Sequence, residues 1–138
     1  ILRYNITMIR KEFFVRLAGL IVCITVFNFL ANKFYWYSSI WYFDIFMHFL
    51  GGLWLGGLFL WLFWPNKLST TLVAKVIAGV LVVGIGWEIF ELMFVNYVAQ
   101  NSFDVVDTSI DLVLDVLGGL SAVVYFNKKI INSTGKTI

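Results

Sequence analysis

Six of the eight acidic residues and the only histidine fall inside segments made otherwise of Leu, Ile, Val, Phe and Gly. They are Asp44, Glu88, Glu91, Asp107, Asp111 and Asp115, with His48. Their spacing is helical. Asp44 and His48 are four apart, Glu88 and Glu91 three apart, and Asp107, Asp111 and Asp115 follow at intervals of four. Each set therefore lies on one face of its helix. An ionised group in hydrocarbon costs about 2.5–3.5 kcal/mol even on the lenient insertion scale. Six carboxylates at one level thus demand either shared protons, with strongly raised pKa values, or a cation among them. Carboxylates with one imidazole suit a hard or borderline divalent ion, whether Mg, Mn, Ca, Fe or Zn. Two such ions bridged by carboxylates on facing helices would also satisfy the pattern. The candidate metal ligands are His48, Glu88, Glu91, Asp111, Asp44, Asp115 and Asp107.

Plainer roles compete for single residues. A lone interior histidine is more often simply hydrogen-bonded. Asp107 and Asp44 stand near helix starts, where an aspartate can cap the first turn and meets the positive end of the helix dipole. Asp111 and Asp115 are too deep for that. Cys23, the only cysteine, excludes an internal disulfide framework and a cysteine-based zinc site.

The elements that position these residues follow from hydropathy. Runs of about 20 apolar residues span a bilayer as helices. Four can be drawn, over residues 13–31, 44–64, 72–98 and 107–126, the second stopped by the only proline, Pro65. The expected fold is an all-α integral membrane protein, residues 1–138 forming one four-helix transmembrane bundle. The polar stripes continue into small residues, Gly52 and Gly56, Gly84, and Gly118 and Ala122, which let helices approach closely in lipid. Gly52-x-x-x-Gly56 is also a motif that can serve a homodimer.

Composition agrees. The chain has 138 residues, 61% hydrophobic and 13% charged, against about 25% charged for a soluble domain. A small soluble domain could not hide so much apolar surface. A net charge of +2 without a basic stripe argues against a nucleic-acid binder.

Basic residues orient the bundle. With both termini in the cytoplasm, Arg3, Arg10, Lys11, Arg16, Lys67, Lys75, Lys128, Lys129 and Lys136 all lie inside, with Arg16 and Lys75 snorkelling, and only Lys33 outside. The stretch 34–43, with Phe34-Tyr35-Trp36-Tyr37 and Trp41-Tyr42-Phe43, is expected flat on the outer surface. Helix 1 reads as a retained span, since no small-x-small site follows its long apolar run. His48, Glu91 and Asp111 then lie about 6–10 Å below the outer face of the plasma membrane, at about 1.5 Å per residue.

Three motifs carry a family resemblance. Phe43-Asp44-Ile45-Phe46-Met47-His48-Phe49-Leu50-Gly51-Gly52, Glu88-Ile89-Phe90-Glu91, and Asp107-Thr108-Ser109-Ile110-Asp111 followed by Asp115 and Gly118-Gly119 resemble the YjdF-type bacterial membrane proteins. The VanZ-like proteins share the first and third elements. They tend to have a basic residue where this chain has Ile45, Gln in place of Glu91 and Asn in place of Asp115. The resemblance covers about residues 40–125 and implies a polytopic membrane protein with an acidic helical core.

Three functions fit the pattern. One is a metal-dependent hydrolase acting on a lipid or lipid-linked substrate. A second is a cation or proton transporter, and a third a metal-stabilised scaffold.

Overall fold

The computed structural model describes the backbone of residues 2–98 and 104–131 and the side chains of 6–93 and 104–129. It is all-helical. Helix α1 covers Leu2–Lys33, a short α2 Trp36–Ser39, α3 Phe43–Phe63, α4 Thr70–Val98 and α5 Val105–Phe126, which runs into a π-helical turn over Asn127–Ile131. Four of these are long and apolar enough to cross a membrane: Ile6–Lys33, Phe43–Phe63, Thr70–Met93 and Val105–Lys129.

Helix α1 begins well before the expected 13. Ile6, Met8 and Ile9 continue its apolar run, so helix propagation does not stop at the first basic residues. The other starts are set by caps. Ser69 Oγ accepts from the Leu72 N–H at 3.2 Å, which opens α4 at Thr70. Asp104 opens α5, its carboxylate accepting from Val106 N at 2.9 Å and Asp107 N at 3.3 Å. The plainer reading of Asp107 as the cap of this helix is therefore set aside: Asp104 reaches the orphan N–H groups first. Asp44 does not cap α3 either, whose N-cap is Tyr42 with no side-chain bond. Both aspartates stand free of capping duty. At the other end of α3, Trp64 takes a left-handed conformation, φ 39, ahead of Pro65. Its ring packs on Phe13 and Phe126, at 6.0 and 5.4 Å between centroids.

The centre of the bundle is the pair α3 and α5. They run parallel, because α4 carries the chain back between them, and they meet through glycine. A Cβ on Gly52 would land on the Asp115 backbone. One on Gly118 would land on Phe49 and Leu53 backbone atoms, and one on Gly56 would stand 2.8 Å from Gly119 Cα. Without a hydrophobic driving force between helices in lipid, close packing of this kind is what binds them. The Gly52-x-x-x-Gly56 face is thus covered within the chain. Leu60, Val76, Val80 and Phe126 are fully buried and fill the half of the bundle away from the acidic residues.

Helix α1 lies on the outside of α3. Leu17 and Phe13 rest on Gly57, and Trp54 Nε1 donates to the Leu17 carbonyl at 3.0 Å. Arg10 sits 5.0 and 5.7 Å over the Trp61 and Trp64 rings. Side chains of Arg10, Arg16, Lys67 and Lys128 thus gather at the end of the bundle opposite the acidic residues. The Arg3 side chain and Lys136 lie outside the described residues.

Candidate metal centre

Three helices deliver their ionisable residues to His48. Glu88 Oε1 of α4 stands 3.7 Å from His48 Nε2, Asp44 Oδ1 of α3 3.8 Å and Asp111 Oδ2 of α5 4.0 Å. Asp115 Oδ1 stands on the other side of the ring, 3.4 Å from Nδ1. His48, Glu88, Asp111 and Asp115 are buried, each no more than 7% exposed. Asp44 is partly buried, and Glu91 and Asp107 are exposed at the rim.

The two faces of the imidazole are thus used differently. Among the described residues, Asp115 is the acid within ion-pair distance on the Nδ1 side. Its second oxygen, Oδ2, lies where a side chain on Gly84 would project, so the absence of a Cβ on α4 makes room for the carboxylate. Gly52 lets its backbone approach α3. Two glycines on two neighbouring helices therefore place one aspartate. The Nε2 side faces three carboxylates at once.

Those three distances are too long for good hydrogen bonds. They suit ligands of a common ion. Donors bound at about 2.0–2.6 Å to one cation stand about 3.0 to 4.8 Å apart, depending on the ion and its geometry. One donor atom from each of Asp44, His48 and Asp111 lies within 4.8 Å of the others, and so does one from each of His48, Glu88 and Glu91. His48 belongs to both triads, so the two share a corner. A second observation concerns Glu88: its Oε1 is buried and accepts no hydrogen bond. A buried carboxylate oxygen without a donor is costly, and a cation is the partner that its position between Nε2 and the other acids would admit.

All seven candidates lie at this end of the bundle. Four carboxylates meet around the His48 imidazole, Glu91 joins at the rim through His48 and Glu88, and Asp107 sits one turn above Asp111 on the same face of α5. Sequence reasoning missed Tyr37. In the short helix α2 its ring packs edge-on against Phe43, at 5.1 Å, and its hydroxyl donates to Asn28 Oδ1 at 2.8 Å. Burial, with the charges of Asp44 and Glu91, pushes its phenol up to about 12. Its packing on Phe43 sets it beside the first turn of α3, which carries Asp44. The only signal for it was its place seven residues before Asp44.

The fold and the polar core define a multi-pass membrane protein whose few buried polar groups converge in one cluster. The family model described as predicted membrane protein (DUF2238) matches residues 4–130. The chain belongs to that family, which is the YjdF type to which its motifs pointed. No curated protein and no solved structure matches it.

Proposed function

We propose that this protein is a membrane-embedded divalent-metal protein, and that its metal serves hydrolysis of a lipid-linked phosphate or ester. His48 Nε2, Asp44, Glu88 and Asp111 would hold the ion, with Glu91 able to join from the rim. The single observation that carries this reading is Glu88 Oε1, buried without a hydrogen-bond donor and 3.7 Å from His48 Nε2. When bound, such an ion polarises a phosphoryl or carbonyl oxygen and lowers the pKa of a bound water.

The protein's own groups divide the remaining work. Asp115 holds the Nδ1 proton and so leaves Nε2 as the donor atom, the usual arrangement of a carboxylate behind a ligating histidine. We assign it this supporting role rather than a place on the metal. Glu91, exposed beside the buried acids, is placed to take a proton from water as general base. The exposed residues of α4 around it, Trp87, Ile89 and Phe90, are apolar, which suits a substrate arriving sideways from the bilayer. Transport is the weaker reading. Below the cluster the bundle is closed by Leu60, Val76, Val80 and Phe126, with no polar group on this axis among the described residues.

The test is a turnover screen of the purified, metal-loaded protein against lipid phosphates and esters, beside Glu91→Gln. Turnover lost in the variant while metal stays bound supports the reading. Metal-loaded wild type that turns over none of them removes the hydrolytic half of it.

A further inference from the structure

A second polar feature lies at the other end of the bundle. Tyr125 is ten residues beyond Asp115, about 15 Å along α5. Arg16 of α1 donates to its hydroxyl. Beside this pair is a cavity of about 230 Å³ between α1, α3 and α5, lined by Phe13, Leu17, Leu20, Gly57 and Tyr125 among others. Its walls are almost wholly carbon, and it is open along one side. In a bilayer such a space does not stay empty, since void-lining atoms forfeit their dispersion contacts.

The charge at its mouth selects what fills it. Among the described residues no carboxylate lies within ion-pair distance of Arg16, and the group it donates to is a neutral phenol. Glu12, one turn before it on α1, is not within that distance, and the acids of α5 belong to the opposite end. An unpaired guanidinium held at the edge of an apolar crevice matches a phosphate, which it can bind with two parallel N–H donors. Arg10 one and a half turns away is engaged differently, with the Trp61 carbonyl and two indole rings. We propose that this crevice is a binding site for one anionic phospholipid, its phosphate on Arg16 and Tyr125 and part of an acyl chain in the cavity. The site is separate from the metal centre and does not depend on it.

The test uses the full chain in a neutral detergent, with phosphatidylglycerol or phosphatidylcholine added and thermal unfolding read out. Wild type should be raised by several degrees more in phosphatidylglycerol than in phosphatidylcholine. Arg16→Gln should lose that difference, while Lys11→Gln, which removes an exposed cation of the same helix outside the crevice, should keep it. Leu20→Trp, which fills the cavity, should lose the response to both lipids. Native mass spectrometry should show one phosphatidylglycerol retained by wild type and none by either crevice variant. Equal response of wild type to the two lipids, or an Arg16→Gln protein that responds as Lys11→Gln does, overturns the proposal. If Arg16→Gln fails to fold, Leu20→Trp decides: a retained lipid overturns the site and a lost one supports it.

Discussion

Asp115 Oδ1 stands 3.4 Å from His48 Nδ1 across the seam between α5 and α3. It does so because Gly52 and Gly84 leave the space that its backbone and its other oxygen need. The contact turns the histidine so that Nε2 faces Glu88, Asp44 and Asp111 together. One consequence is testable in a single atom. Asp115→Asn keeps the shape but offers a neutral acceptor. Loss of such a supporting group typically weakens metal affinity about 10–100-fold. Titration of chelator-treated protein with Mn²⁺ or Zn²⁺ should show that loss with the helix content unchanged. An unaltered affinity would remove Asp115 from this role.

The glycine seam makes a second prediction. Gly52→Ala and Gly118→Ala each drive a methyl group into backbone rather than into a flexible side chain. Overpacking ordinarily costs about 1–3 kcal/mol, and these positions should lie at or above the upper end. Gly51→Ala is the control. Nothing lies within 4 Å of its Cβ position, and alanine is favoured over glycine in a helix by about 1 kcal/mol. Thermal unfolding in detergent should fall sharply for the first two and hold or rise for the third.

Much of this architecture was legible in the chain. Four apolar runs set the spans, and the i, i+3 and i, i+4 spacings put the acidic residues on inward faces. The level at which they meet followed from counting residues. Other features needed the structure. Asp104, not Asp107, caps α5, its carboxylate accepting from Val106 N and Asp107 N, and spacing alone does not rank two aspartates three residues apart. The parallel pairing of α3 with α5, rather than with a sequence neighbour, follows from which glycine faces which, a tertiary property. Which imidazole nitrogen meets which acid depends on the same contacts. Tyr37 was hidden by its company, since an aromatic cluster beside a span reads as an interfacial belt.

Tyr37 supplies a pH prediction. Its pKa is raised above the ordinary tyrosine value, so its protonated form favours the fold. That contribution is complete below about pH 10, and it is lost as the pH rises from there through about 12. A tyrosinate absorbance titration should show one late step, missing in Tyr37→Phe. Because burial is the first cause and the charge of Asp44 the next, Asp44→Asn should move that step down without abolishing it. A step that does not respond to Asp44→Asn would place Tyr37 away from the acidic cluster.

Glu88 should trade stability for binding. In the metal-free protein its buried oxygen has no donor, a cost of about 1–3 kcal/mol. Glu88→Gln keeps the shape and brings an amide that can donate to the neighbouring carboxylates, so without metal it should unfold at a higher temperature than wild type. With metal the order should reverse, because only wild type gains the binding free energy. Unfolding curves with chelator and with saturating metal check both halves. A variant less stable than wild type in chelator would mean that Glu88 already has its partner within the fold.

The central claim is that this cluster holds a metal ion, and elemental analysis of detergent-purified protein tests it most directly. Wild type should carry about one divalent ion per chain, or two if both triads that share His48 are filled. The double variant Glu88→Gln, Asp111→Asn should carry none while keeping its helical content. Wild type that stays free of metal under every loading condition, or a variant that binds as much as wild type, would contradict the account.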